Sequence, residues 1–235
     1  NGENAAGGFG MTENIVKKLR AYGVDVVTSG NHVWNRPDFV RRLDQAQRVL
    51  RPLNYPDDAP GNGSVIVEAR DGTKVGVVNL QGRTFMASLD CPFRIGERRV
   101  EELRHETPCI FVDFHAEATA EKVALGYHLD GRASAVIGTH THIQTADERL
   151  LPKGTAYLTD AGMTGVQESV IGTRTEIAVQ RFIDAVPARF KPADGDPMLC
   201  GALIDIDADT GRATAIERLR VRIESTAGAD VGDED

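Results

Sequence analysis

Three of the six histidines in this 235-residue sequence follow apolar runs of strand length. His32 comes after residues 24–28 through Ser29-Gly30-Asn31, and His115 closes the run 109–115. His140 follows residues 133–137 in the string Gly138-Thr139-His140-Thr141-His142. Neutral imidazole is the commonest side-chain ligand of transition metals, and the C-terminal ends of strands are where layered α/β proteins usually place their sites. Asn31 adds an amide oxygen and Glu3 a carboxylate able to bridge two cations, so the set is a mixed nitrogen and oxygen one suited to Fe, Mn or Zn. In extended chain His140 and His142 would point to opposite sides, whereas in a loop or a twisted strand end both can face one metal pair. Each piece alone also has a plain structural reading: a strand-end histidine is commonly a hydrogen-bonded core residue, and Ser-Gly-Asn-His is a good tight turn. Their joint occurrence at strand ends is what argues for chemistry.

The elements that must hold these residues alternate between apolar runs and amphipathic helical stretches, the pattern of a layered α/β protein. A helix is expected over 12–22, with Ile15, Val16 and Leu19 on one face and Gly23 as its C-terminal stop. A strand over 24–28 follows, then a helix over 37–43 that Asn35 caps. Residues 49–60 are proline-rich and irregular. Residues 64–69 and 74–80, joined through Asp71-Gly72, make a hairpin, which puts antiparallel pairing into the sheet and excludes a simple doubly wound fold. Helices over 97–105, 119–128 and 177–185 and strands over 109–115, 133–137 and 155–159 complete the alternation, with a glycine-rich loop at 160–165. A second hairpin, 199–207 with 213–223, turns at Asp209-Thr210-Gly211, and residues 227–235 are expected to fray.

Length and composition bound the rest. The chain is expected to form a single domain over 1–226. No stretch approaches the ~20 apolar residues of a membrane span, which makes the cytoplasm the default location. Cys91, Cys109 and Cys200 have no metal-ligand or disulfide-framework spacing. A formal charge of −8 argues against duplex DNA as a partner, while a small anionic substrate remains compatible if metal ions supply positive charge locally. The opening, Asn1-Gly2-Glu3-Asn4-Ala5-Ala6, has no strand or helix pattern ahead of it and reads as a junction inside a domain.

Gly30-Asn31-His32, the strand-end His115 and Gly138-Thr139-His140-Thr141-His142 resemble the GNH, single-His and GHxH motifs of calcineurin-type metallophosphoesterases. The strings Asn1 to Ala6, Asn79 to Phe85, Val112 to Ala118, Asp130 to Ser134 and Thr155 to Thr164 are similar to the YmdB-like branch, over nearly the whole chain. The resemblance implies a four-layer α/β/β/α sandwich with mixed sheets. It also implies a dinuclear-metal phosphodiesterase acting on 2′,3′-cyclic nucleotides, with some action on 3′,5′-cyclic ones. Carried over residue by residue, Glu3 bridges both metals, Asn31, His115 and His140 bind one ion, and His142 binds the other. Asn4 contributes beside Glu3, and His32 is the proton donor. Two departures stand out. Family members begin with a strand ending in a Gly-Asp-Val-like motif whose Asp is a ligand, and no residue ahead of Asn1 supplies it, so an N-terminally truncated domain is expected. Val33-Trp34 also follows the GNH triplet where the wider superfamily has the Asp or Glu that orients the catalytic histidine.

The chemistry implied is in-line attack by a metal-activated hydroxide, with two divalent or transition metal ions, Fe or Mn before Zn, and protonation of the leaving ribose oxygen by His32. The substrate class is a cyclic nucleotide or an RNA-end phosphodiester, and a homo-oligomer is left open. A competing reading is a non-catalytic regulatory or RNA-associated protein that keeps the fold. Gly7-Gly8-Phe9-Gly10 invites a phosphate-loop reading, but no Lys-Ser/Thr follows it. Arg83 and Arg132 are expected in structural salt bridges, and Tyr22, Trp34, Phe85 and Tyr127 in the core.

Overall fold

The computed structural model describes residues 1–222, so the expected fraying of 227–235 lies outside the described residues. Its larger sheet has six strands. The expected hairpin is present as β1 (Ser64–Glu68) and β2 (Lys74–Gln81), antiparallel with Glu68 opposite Lys74. From β2 the sheet continues in parallel through β3 (Ile110–His115), β4 (Ala135–Thr139) and β6 (Ala156–Leu158), and β5 (Arg149–Leu150) closes the far edge antiparallel to β6. β3 and β4 are covered on both faces, which is why they read as nearly continuous apolar runs rather than as alternating ones. A three-stranded sheet follows from β7 (Gly165–Val166), β8 (Pro197–Ile206) and β9 (Ala213–Arg222), the last two forming the second expected hairpin.

Packing sets the layers. α3 (Pro92–Arg104) and α4 (Thr119–His128) cover one face of the larger sheet, where Val100, Leu103, Leu125 and Leu129 close on Val78, Leu80, Val112 and Phe114. Ala135, Ile137, Ala156 and Leu158 on the opposite face meet Ala202, Ile204 and Ile216 of the smaller sheet. The expected α/β class is therefore observed, ordered helices, mixed sheet, antiparallel sheet. A third cluster, Met11, Val27, Val33, Phe39, Leu43 and Val49, anchors the segment that carries Asn31 and His32.

Several boundaries differ from the sequence reading. α1 (Glu13–Ala21) is capped by the Thr12 hydroxyl, which accepts from the Ile15 N–H, and stops at Gly23, which has φ +97°. The backbone bonds Gly23 N to Arg20 O and Val24 N to Leu19 O are the paired closure of a Schellman stop. The run 24–28 is not a laddered strand. Val27 alone of the run forms a β-bridge, to Val49; the Thr28 carbonyl oxygen accepts from Gly2 N at 2.8 Å, the Thr28 hydroxyl donates to Asp113, and Ser29 N donates to Asn79 Oδ1. The helix expected over 37–43 is cut to α2 (Pro37–Val40) and a 3₁₀ turn (Leu43–Gln45); Asn35 does not cap it, because its side chain is bonded to His32 instead. α3 begins at Pro92, five residues ahead of the expected 97, since proline is tolerated in the first turn and Phe93 and Ile95 extend its apolar face. The last helix, α5 (Thr175–Asp184), stops at Ala185 in the left-handed region.

Candidate metal centre

The parallel register of β3 and β4 brings their C-terminal ends level, with His115 opposite Thr139. Beside them lies the turn 30–33, closed by Val33 N to Gly30 O. Gly30 is required there: a Cβ would stand 2.2 Å from the His115 ring and 2.4 Å from Glu3 Oε2. Gly138 is required for the same reason, since its Cβ would stand 1.8 Å from the Thr159 carbonyl oxygen. The chain after it then turns sharply. His140 has φ +106° and His142 φ +67°, both in a region that L residues avoid at a cost of roughly 1–3 kcal/mol each. This is the departure from extended backbone that two histidines two residues apart need in order to serve one site.

Around His115 Nε2 three acceptors converge. Asn31 Oδ1 lies at 2.9 Å, Glu3 Oε1 at 3.1 Å and His140 Nδ1 at 3.1 Å. A proton on that nitrogen can serve only one of them, whereas a cation serves all. The ligand atoms of Glu3, His115 and His140 lie within 4.8 Å of one another, and Glu3 and His115 are buried. The opposite nitrogen of each ring is held as a donor. His115 Nδ1 is 2.9 Å from Thr139 Oγ1, whose hydroxyl donates to Asp113 Oδ1 at 2.8 Å. His140 Nε2 lies 2.9 Å from Glu117 Oε2, and His142 Nδ1 lies 3.0 Å from the Ile171 carbonyl oxygen. Such partners fix the tautomer and leave the other nitrogen's lone pair for a metal. His142 Nε2 faces Asn4 Nδ2 at 2.9 Å, and Asn4 Oδ1 is buried without a hydrogen-bond partner among the described residues. The donor set and this orphaned oxygen fit metal binding by Glu3, Asn31, His115 and His140, with His142 and Asn4 adjacent.

Electrostatics point the same way. Burial pushes the Glu3 carboxyl up, but the hydrogen bond and charge of His115, together with the His32 N–H, outweigh it and hold Glu3 below the ordinary carboxylate range. Burial, then the charge of His115, hold His140 below the ordinary histidine value against Glu117 and Glu3. A carboxylate and a neutral imidazole are the ligating forms.

His32 stands slightly apart. Its backbone N–H donates to Glu3 Oε2 at 3.0 Å, its ring packs edge-on against Phe9 at 5.0 Å, and its Nδ1 lies 3.2 Å from Asn35 Oδ1. Asn35, rather than position 33 or 34, supplies the side-chain oxygen against the His32 ring. Asp113, Glu117, Thr139 and Asp160 were also missed. Asp160 accepts from Thr141 N at 3.0 Å and Thr141 Oγ1 at 2.9 Å while paired at 2.7 Å with Lys122, both side chains being fully buried. Arg132 is in salt bridges with Glu97 and Glu101, as expected, whereas Arg83 forms no salt bridge among the described residues and donates its backbone N–H to Glu121. Tyr22, Phe85 and Tyr127 are exposed rather than in the core: Tyr22 caps α1, Phe85 lies in the loop after β2, and Tyr127 is on the outward side of the last turn of α4; Trp34 packs edge-on against Tyr55.

Residues 1–219 match the family described as YmdB-like protein. The chain belongs to that family. Over 221 residues it is 49% identical to the 2′,3′-cyclic-nucleotide 2′-phosphodiesterase of Bacillus subtilis, an alignment covering 94% of this chain and 83% of the relative. A crystal structure of a hypothetical protein from Thermus thermophilus superposes with a TM-score of 0.88 at 43% identity, covering 94% of this chain and 86% of that one. A Mycoplasma pneumoniae structure described as a novel phosphatase gives 0.86 at 31% identity, covering 94% and 80%. Membership carries the metallophosphoesterase-type expectation of divalent metal ions, and the YmdB-like chain has the donor cluster for them at its strand ends. No helix among the described residues is long and apolar enough to cross a membrane.

Proposed function

We propose that the chain is a metal-dependent phosphoric diester hydrolase that opens 2′,3′-cyclic nucleotides, and 3′,5′-cyclic ones more slowly, with His32 as proton donor. The observation that carries this reading is the convergence of Asn31, Glu3 and His140 on one nitrogen of His115, with His32 tied to the same carboxylate. The name of the Bacillus subtilis relative supports the substrate class. When bound, two ions, Fe or Mn in preference to Zn, supply positive charge for the phosphoryl oxygens and acidify a water. Glu3, Asn31, His115 and His140 would hold one ion, and His142 would serve a second. The reaction adds water across the P–O2′ bond: that bond breaks, the phosphorus keeps the new oxygen, and O2′ departs as a hydroxyl. The departing oxygen needs a proton. With Nδ1–H donated to Asn35, His32 delivers it from Nε2. Three free cysteines without pairing support a reducing, cytoplasmic setting.

The test is hydrolysis of 2′,3′-cAMP by protein loaded with Mn²⁺, with the product identified by chromatography. The expected product is 3′-AMP, formed faster than any product of 3′,5′-cAMP and abolished by chelation. Loaded protein that leaves the cyclic phosphate intact would contradict the reading in favour of a non-catalytic role.

A further inference from the structure

A groove of about 870 Å³ opens beside His32, between the loop carrying Gly7 and Phe9 on one side and residues 188–192 on the other. Its size is near the top of the roughly 300–1,000 Å³ of single small-molecule clefts. Its lining is unlike the rest of this net-acidic chain: Arg36, Arg181, Arg189 and Lys191 supply four cations, and Phe9 and Phe190 two aromatic faces. The arginines are not all spent on internal pairs. Arg36 donates to the carbonyl oxygens of Phe9, at 3.0 Å, and Ala6, which fixes its position, and it forms no salt bridge among the described residues. Arg181 lies over the Phe190 ring at 4.6 Å, and among the described residues Arg189 and Lys191 form no ion pair.

Both walls lead to the metal centre. Phe9 touches the His32 ring directly. On the other wall Arg174 N bonds to Lys191 O and Thr173 bridges to Pro192, placing residues 191–192 against the turn whose Ile171 carbonyl holds His142. The groove therefore runs away from the place where the scissile phosphate would sit.

We propose that this groove binds the backbone of a single-stranded oligoribonucleotide whose 2′,3′-cyclic phosphate end enters the metal centre; the proposal rests on the phosphodiesterase reading above. The single charge of a cyclic mononucleotide is already met at the metal centre, so four further cations have no partner in that substrate. Phosphates upstream of a cyclic end give them partners, and the exposed Phe9 ring and the Arg181 guanidinium stacked on the half-buried Phe190 offer flat faces to unpaired bases. A chain of net charge −8 gains little from gathering cations at one place unless a polyanion is to be held there.

The test compares a pentaribonucleotide ending in a 2′,3′-cyclic phosphate with 2′,3′-cAMP as substrates of the metal-loaded protein and of Arg189→Glu and Lys191→Glu, both at exposed positions. The wild type is expected to favour the oligomer, and each substitution to raise the oligomer KM about tenfold while leaving 2′,3′-cAMP turnover unchanged; added salt should erode the preference. Equal handling of both substrates by the wild type, or equal loss on both by the variants, would overturn the proposal. Fluorescence anisotropy with a pentaribonucleotide ending in a 3′-phosphate separates the two readings. Binding that the substitutions weaken, without hydrolysis of either substrate, would sink the phosphodiesterase reading and still support the groove, whereas binding indifferent to them would sink the groove.

Discussion

His32 and Asn35 lie three residues apart in a turn, and their contact at 3.2 Å holds one nitrogen of the imidazole, leaving the other for the proton transfer proposed above. His32→Ala is expected to lower turnover of 2′,3′-cAMP by roughly 10²–10⁴-fold while elemental analysis finds metal near the wild-type level. Metal lost in step with activity would make His32 a ligand instead. Asn35→Ala is expected to lower kcat more than it raises KM, and Asn35→Asp to restore most of the rate. Kinetics identical to the wild type would leave Asn35 without a positioning role. The Asn35 contact was not legible in the sequence, because an asparagine just ahead of a proline-led helix fits a cap equally well. The histidines themselves were legible, since a polar residue closing an apolar run stands out in any strand-end reading.

Elements decide how firmly those residues are held. The His140 and His142 loop rests on the Lys122–Asp160 pair, in which α4 contributes the ammonium and the segment after β6 the carboxylate. Lys122→Met removes one charge of a buried pair and is expected to cost about 3–5 kcal/mol in urea unfolding, with weaker metal binding as the loop loosens. A loss below about 1 kcal/mol would mean that the pair does not hold the loop. Lys122 and Asp160 are 38 residues apart in an amphipathic helix and a glycine-rich loop, so no local pattern joins them. The Asp113–Thr139–His115 chain was hidden for a related reason, since Thr139 meets His115 only once β3 and β4 are placed side by side in register. Strand-to-helix alternation and both hairpins, in contrast, were readable from apolar periodicity and from Asp71-Gly72 and Asp209-Thr210-Gly211. The two-residue β5 is too short to leave a period, and the run 24–28 looked like a ladder strand although only Val27 forms a β-bridge.

At the scale of the molecule, the fold lines up the ends of parallel strands so that acceptors and lone pairs face one point. Binding a cation there adds stability only to the folded chain, so chelation is expected to lower the thermal midpoint of the wild type and not that of His115→Ala. An equal drop in both would place the stabilising ion elsewhere. The net charge of −8 argued against duplex DNA as a partner, yet could not foresee that the acidic chain collects Arg36, Arg181, Arg189 and Lys191 in one groove, since those residues come from separate segments. The most direct test of the central claim is an anomalous difference map from crystals of the active protein grown with Mn²⁺. The predicted result is a peak bonded to His115 Nε2, His140 Nδ1, Asn31 Oδ1 and Glu3. Crystals of active protein with no peak at that point, or with Mn²⁺ held by other residues, would contradict it.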